Sequence, residues 1–191
     1  MRKRQLLIDI NAPVIIWMAA ISLVLLIIDS VTGDTITRYF AAFKTSFTDP
    51  MQYIRLFTHV LVHADMAHYV SNFMMMLVIG PLVEEKYSSR NLCIFIVITA
   101  FITGLITVLL FPGKAVIGAS GIVFMLILLA SFTNIKQGRL PVTVPLVAIL
   151  YIGNEIMLGL FTPSNISRIS HIAGGLCGAV SGALFHGKKR F

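Results

Sequence analysis

Apolar residues along this chain gather into long blocks separated by short polar breaks. The blocks cover residues 13–29, 66–83, 92–111, 115–133, 142–161 and 169–186. Each approaches the roughly 20 residues that an α-helix needs to cross about 30 Å of hydrocarbon. The breaks carry charge or turn formers: Glu84-Glu85-Lys86, Pro112-Gly113-Lys114, residues 134–141, and Thr162-Pro163-Ser164-Asn165. This pattern predicts an all-α membrane protein, a bundle of six transmembrane helices forming one membrane domain over residues 1–191. The first block follows Met-Arg-Lys-Arg and so imitates a secretory signal. No small-x-small cleavage pattern follows its end at Ile28-Asp29-Ser30, and it reads as a retained span.

Composition agrees with that reading. Of 191 residues, 57% are hydrophobic and 12% charged, and mean hydropathy is +0.90. Soluble domains average about 45–50% apolar and about 25% charged residues. Disorder, a coiled coil and a disulfide-stapled secreted domain are excluded. The net charge of +7 would suit nucleic acid, but no basic stripe with interleaved aromatics is present. No nucleic-acid partner is therefore expected, and the bilayer itself is. Cys93 and Cys177 both fall inside apolar blocks, where buried packing is the expected role.

The basic residues sit at block edges, where they act as topology signals. With the N-terminus cytoplasmic, the inside segments hold ten of the fifteen Lys and Arg residues. An even number of spans then places both termini in the cytoplasm. Residues 30–65 make the one long loop, on the outside. Its Tyr39, Phe40, Phe43, Phe47, Met51 and Tyr53 predict an amphipathic piece lying in the outer interface.

Strongly polar groups inside such blocks are costly and face an interior cavity. Three clusters stand out. His59, His63, His68 and Asn72 open the second span, Gly118-Ala119-Ser120-Gly121 lies in the fourth, and Ser170-His171 precedes Gly174, Gly178 and Gly182 in the sixth. His68 and Asn72, four apart, share a helix face, as do His171, Gly174 and Gly178. Glycines every four residues let a neighbouring helix approach closely. If that stripe meets the small residues of the fourth span, Ser120 and His171 come within reach. All three clusters start from the outer side. Ser120 lies six residues beyond Lys114, hence at most about 9 Å deep in a helix. His171 is expected in the first turn of its span.

A hydroxyl, an imidazole and hydrogen-bond donors at one level are the parts of acyl-transfer chemistry. Ser120 can attack a carbonyl if neutral His171 takes its proton, and His68 and Asn72 can donate to the oxyanion. Gly118 and Gly121 leave room for a substrate backbone. No carboxylate falls near His171, so the residues predict a Ser–His dyad. His59 and His63 with His68 raise the possibility of zinc, but neither a His-Glu-x-x-His pattern nor a fourth ligand exists, and no metal is expected. Paired intramembrane aspartates are absent too. Phe73-Met74-Met75-Met76 reads as lipid-facing or core packing, while Glu155 in the fifth span has no assigned partner.

These motifs resemble the rhomboid family of intramembrane serine proteases over roughly residues 10–187. They stand in the family's order: His63-x4-His68-x3-Asn72, then Gly118-x-Ser120-Gly121, then His171-x2-Gly174-x3-Gly178. The resemblance implies Ser120 as nucleophile and His171 as base, with an oxyanion site of His68, Asn72 and the Ser120 amide. Arg55 and Glu84 match a first-loop arginine and a second-span acidic residue with structural roles. Phe124 stands where the family often has a tyrosine stacked on the catalytic histidine, and Ile54 where it often has tryptophan. The resemblance further implies single-span or polytopic membrane proteins as substrates, no cofactor, a lateral gate near the fifth span, and a lid at residues 161–169. A bacterial plasma membrane, with the site opening to the extracytoplasmic side, is the expected location. The alternatives are a transporter, which would favour midplane polar groups and broken helices, and a non-enzymatic rhomboid-like binder of membrane clients, which should lack the serine or the histidine.

Overall fold

The computed structural model describes residues 10–133 and 166–185, with positions 142, 145–147, 149–150, 153 and 157 between them. In chain order the elements are α1 (Pro13–Thr32), α2 (Thr35–Phe40), β1 (Ala42–Phe43), α3 (Pro50–Thr58), a 3-10 turn (His59–Leu61), α4 (Met66–Tyr87), α5 (Ser89–Leu110), β2 (Ala115–Val116) and α6 (Ser120–Ser131). The last described helix, here α7, is Ile166–Phe185. Among the described residues, three helices, α1, α4 and α5, are long and apolar enough to cross a membrane. α6 is a 12-residue apolar helix. α7 matches α1 in length at 20 residues, but its glycines, serines, Arg168 and His171 lower its hydropathy. The fifth block, with Glu155 and the expected gate, lies largely outside the described residues, as do residues 161–165 of the expected lid.

α6 sits at the centre. Ile122, Met125, Leu126, Leu128 and Leu129 are each no more than 1% exposed, so the helix is apolar on every side because every side is covered. α4, α5 and α7 pack around it, α7 most extensively. On α1 the situation reverses: Trp17, Val24, Ile27 and Val31 face outward, as hydrocarbon permits. In the Phe73–Met76 stretch, Phe73 and Met76 enter the core and Met74 faces out.

α1 begins with Pro13, and its N-cap residue, Ala12, has no side chain to satisfy the first amides. Glu84 of α4 does so instead. Its carboxylate accepts from the Val14 and Ile15 amides at 3.0 and 3.3 Å and from the Ser89 hydroxyl at 2.7 Å. A carboxylate only 2% exposed is tolerable there because three donors and the positive end of α1 surround it. The one side chain thereby joins α1, α4 and α5.

Three boundaries differ from the sequence reading. The fourth block does not enter as a helix at residue 115: Ala115 and Val116 pair antiparallel with Phe43 and Ala42, and the helix starts only at Ser120. The backbone cause is Gly118 at φ +101°, a left-handed conformation that no α-helix contains. The sixth helix is already formed at Ile166, ahead of the expected start, so residues 166–169 are helix and His171 lies beyond its first turn. Finally, residues 30–65 are not a single interfacial piece. They fold into α2, β1, α3 and the 3-10 turn, and α3 turns Gln52, Arg55 and Leu56 inward, with Tyr53, Ile54 and Phe57 outward. Cys93, expected in the core, is exposed on α5. Cys177 is partly buried.

Candidate active site

α4, the β2–α6 connection and α7 each bring one motif to a shared cavity of about 380 Å³. His68 and Asn72 line it from α4, Ser120 and Phe124 from α6, and His171 from α7. Ser120 and His171 are both partly exposed, so the cavity reaches them.

Each motif is held by a local cause. Asp65 caps α4, accepting from the His68 amide at 2.7 Å, and so sets the first turn on which His68 rides. Asn72 follows one turn later on the same face. It is 6% exposed, and its Nδ2 has no hydrogen-bond partner among the described residues. A buried amide donor without a partner is costly, and this one lines the cavity that Ser120 also lines.

Ser120 is the first residue of α6, and the preceding Ala119 provides no side-chain cap. The first amides of α6 and the positive end of its dipole therefore gather at the serine. Gly118 is needed there twice over. Its φ of +101° favours glycine, and a Cβ would lie 2.6 Å from the His68 Nε2. The imidazole of His68 thus packs directly against the backbone that leads to Ser120.

α6 and α7 meet backbone to backbone. A Cβ on Gly174 would strike the carbonyl of Gly121, and one on Gly178 the carbonyl of Met125. The expected meeting of the two small-residue surfaces therefore occurs, with Gly121 adjacent to Ser120 and Gly174 one turn beyond His171. Gly182 continues the stripe against the ring of Phe132. Phe124 stacks on His171, centroids 4.4 Å apart and planes 8° from parallel, which fixes the plane of the imidazole.

The loop before α4 supports the same backbone from the other side. The Gly118 amide donates to the His59 carbonyl at 2.9 Å, and the Ala119 amide donates to Nε2 of His63 at 3.3 Å. Accepting there leaves the ring proton of His63 on Nδ1. In His59 the donor is Nε2, bonded to the Ala100 carbonyl at 3.1 Å, so the two rings carry opposite tautomers. Burial pushes both down to about 4, which keeps them neutral. Arg55 anchors this loop: its Nε donates to the Tyr39 carbonyl at 3.0 Å, it pairs with Asp49 at 3.3 Å, and its guanidinium lies 4.4 Å over Phe43. Ile54, at the family's frequent tryptophan position, instead points outward at 46% exposure.

Sequence reasoning did not foresee the parts played by His59 and His63, since both act on backbone groups distant along the chain. It also missed Ser71, Ile117 and Ser167, which line the cavity and carry no motif of their own. Among the described residues no group of three His, Cys, Asp or Glu side chains could hold a metal ion. His63 instead packs edge-on to His68, centroids 5.0 Å apart.

A family model described as the rhomboid domain matches residues 50–188. That range runs from α3 through the cavity motifs and α7, and the chain belongs to the rhomboid family, as an integral membrane protein. No curated protein matches the chain.

Proposed function

We propose that this protein is an intramembrane serine endopeptidase that hydrolyses peptide bonds in or near the transmembrane segments of other membrane proteins. The observation that carries this reading is the convergence of Ser120, His171, His68 and Asn72, from three separate helices, on one cavity. Rhomboid membership supports the reaction class.

In this reading His171 removes the proton of the Ser120 hydroxyl as Oγ attacks the scissile carbonyl. The resulting oxyanion is met by the Asn72 amide, the His68 imidazole and the Ser120 N–H, at the positive end of α6. Collapse expels the amine, which takes the proton from His171, and leaves an acyl-serine. Water, deprotonated by His171, then releases the acid and restores the hydroxyl. Phe124 keeps the imidazole plane through both steps. A substrate helix shields its own carbonyls, so it has to unwind locally before attack. Completing the reading are six spans, both termini cytoplasmic, and a cavity open to the extracytoplasmic side of a bacterial plasma membrane.

The test is incubation of the purified full chain with single-span substrates beside labelling by a fluorophosphonate. Cleavage and labelling by the wild type, both lost in Ser120→Ala and in His171→Ala, are expected. A folded wild-type protein that neither cleaves nor labels would favour a non-enzymatic client binder and overturn the proposal.

A further inference from the structure

The two short strands stand beside the cavity and carry charge at their ends. Ala42 pairs with Val116 and Phe43 with Ala115. Continued by one residue, this register sets Lys44 against Lys114, with Cβ atoms about 5 Å apart. Side chains alternate along a strand, so both lysines share the face of Ala42 and Val116. That face packs against Ile166 of α7, and the next residue, Ser167, lines the cavity that Ser120 lines. From the other side, β2 leads from Lys114 to Ile117, which lines the same cavity. Three extended residues span about 10 Å.

Both lysines are exposed. Like charges directly opposite on paired strands repel, and no carboxylate offsets these two. Among the described residues the one salt bridge joins Arg55 to Asp49, which occupies the carboxylate closest to Lys44 in sequence. Lys44 lies 5.9 Å over the ring of Phe47, a contact that leaves its charge intact. With the N-terminus cytoplasmic, ten of the fifteen Lys and Arg residues fall on the inner side. Cations at this outer rim therefore run against the topology bias. Two ammonium groups within about 10 Å of a peptide-binding cavity are complementary to a carboxylate on that peptide.

We propose that Lys44 and Lys114 form a substrate-recognition site for an acidic side chain. The Asp or Glu stands about three to five residues from the scissile bond, on the flank that leaves the membrane beside β2. This specificity rests on the protease reading above. A substrate segment that faces Ile117 in extended form reaches the lysines after about three residues. A phospholipid headgroup carries the same charge, but headgroups surround the whole bundle, whereas β2 leads from these lysines into the cavity. That continuity favours the substrate.

The full chain in phosphatidylcholine vesicles is given single-span substrates that differ only by Asp, Gln or Lys at one position of that flank. The wild type should cleave the Asp form with kcat/KM about fivefold above the Gln form, the upper range for one exposed ion pair. The preference should fade as salt rises towards about 1 M. Lys44→Glu with Lys114→Glu should reverse the order and favour the Lys form. Each ratio is taken within one enzyme, so a general loss of activity divides out. If that variant does not fold, Lys44→Gln with Lys114→Gln, which removes the repulsion, should abolish the preference. Equal wild-type rates on all three forms would leave the protease reading standing and refute the site. Cleavage of none by a folded wild type would instead be failure of the protease reading, and the site falls with it. Activity lost alike on all three forms, and only when the vesicles contain phosphatidylglycerol, would assign the lysines to headgroups and overturn the proposal.

Discussion

Ser120 is supported from two directions by opposite means. On the α7 side, Gly174 and Gly178 press against the carbonyls of Gly121 and Met125, with no side chain between the helices. On the loop side, the backbone before Ser120 hangs from hydrogen bonds to His59 and His63. The first contact is steric and has no slack, so any added atom must move a helix. The second is polar and depends on protonation state, so it can be loosened without changing volume. A serine held this way tolerates little geometric error on one side and has a chemical switch on the other.

The sharpest way to break the comparison is Gly174→Ala. Its methyl group has no room, so the helices must separate. Catalysis should fall about 100-fold, the cost of a shift near 1 Å, with stability lowered by about 1–3 kcal/mol. Gly175→Ala is the matched control, because its Cβ would lie 3.6 Å from Leu128, an ordinary contact. It should leave stability within about 0.5 kcal/mol. Cleavage of a single-span substrate and thermal unfolding read both variants, and equal behaviour would show that the contact has slack after all.

His63→Ala probes the polar side. Stranding the Ala119 amide should cost about 1–3 kcal/mol and lower kcat roughly tenfold, or about 1.4 kcal/mol of barrier, with KM nearly unchanged. His63→Gln, which can still accept from that amide, should recover part of the loss. A change in KM alone would point to substrate binding instead.

The gentlest perturbation is acid. His59 and His63 have folded-state values near 4 against an ordinary 6.5, so the native state binds fewer protons than the unfolded chain between those limits. Their contribution to stability is complete above about pH 6.5 and is lost as pH falls towards 4. Unfolding temperature measured across that window should decline with acid, and the decline should be shallower in His63→Gln. A flat profile would mean that neither ring is buried neutral.

Much of the site is readable in one dimension. The order and spacing of His68, Asn72, Ser120, His171 and Gly174 already place a hydroxyl and an imidazole on helices that can touch. The glycine stripe identifies the surface through which they do so. Arg55 and Glu84 were assigned structural roles only through family resemblance, because several of their partners, the Tyr39 carbonyl and the amides of Val14 and Ile15, are main-chain groups. Main-chain groups leave no trace in a sequence pattern. The same holds for His59 and His63, whose spacing mimics metal ligands while their rings serve the backbone. Cys93 was misplaced for a different reason. In a membrane, core and solvent are both apolar, so hydropathy does not say which face of a helix looks inward.

Local composition, then, was enough to determine the membrane-spanning character of α1, α4 and α5 and the small-residue faces through which helices could approach. Burial of hydrocarbon and steric room for a backbone are properties of the residues themselves. Which carboxylate caps α1 and what holds the loop ahead of Ser120 were decided by tertiary structure alone. Each depends on a backbone amide or carbonyl finding a partner far away in the chain, and every residue supplies the same amide and carbonyl.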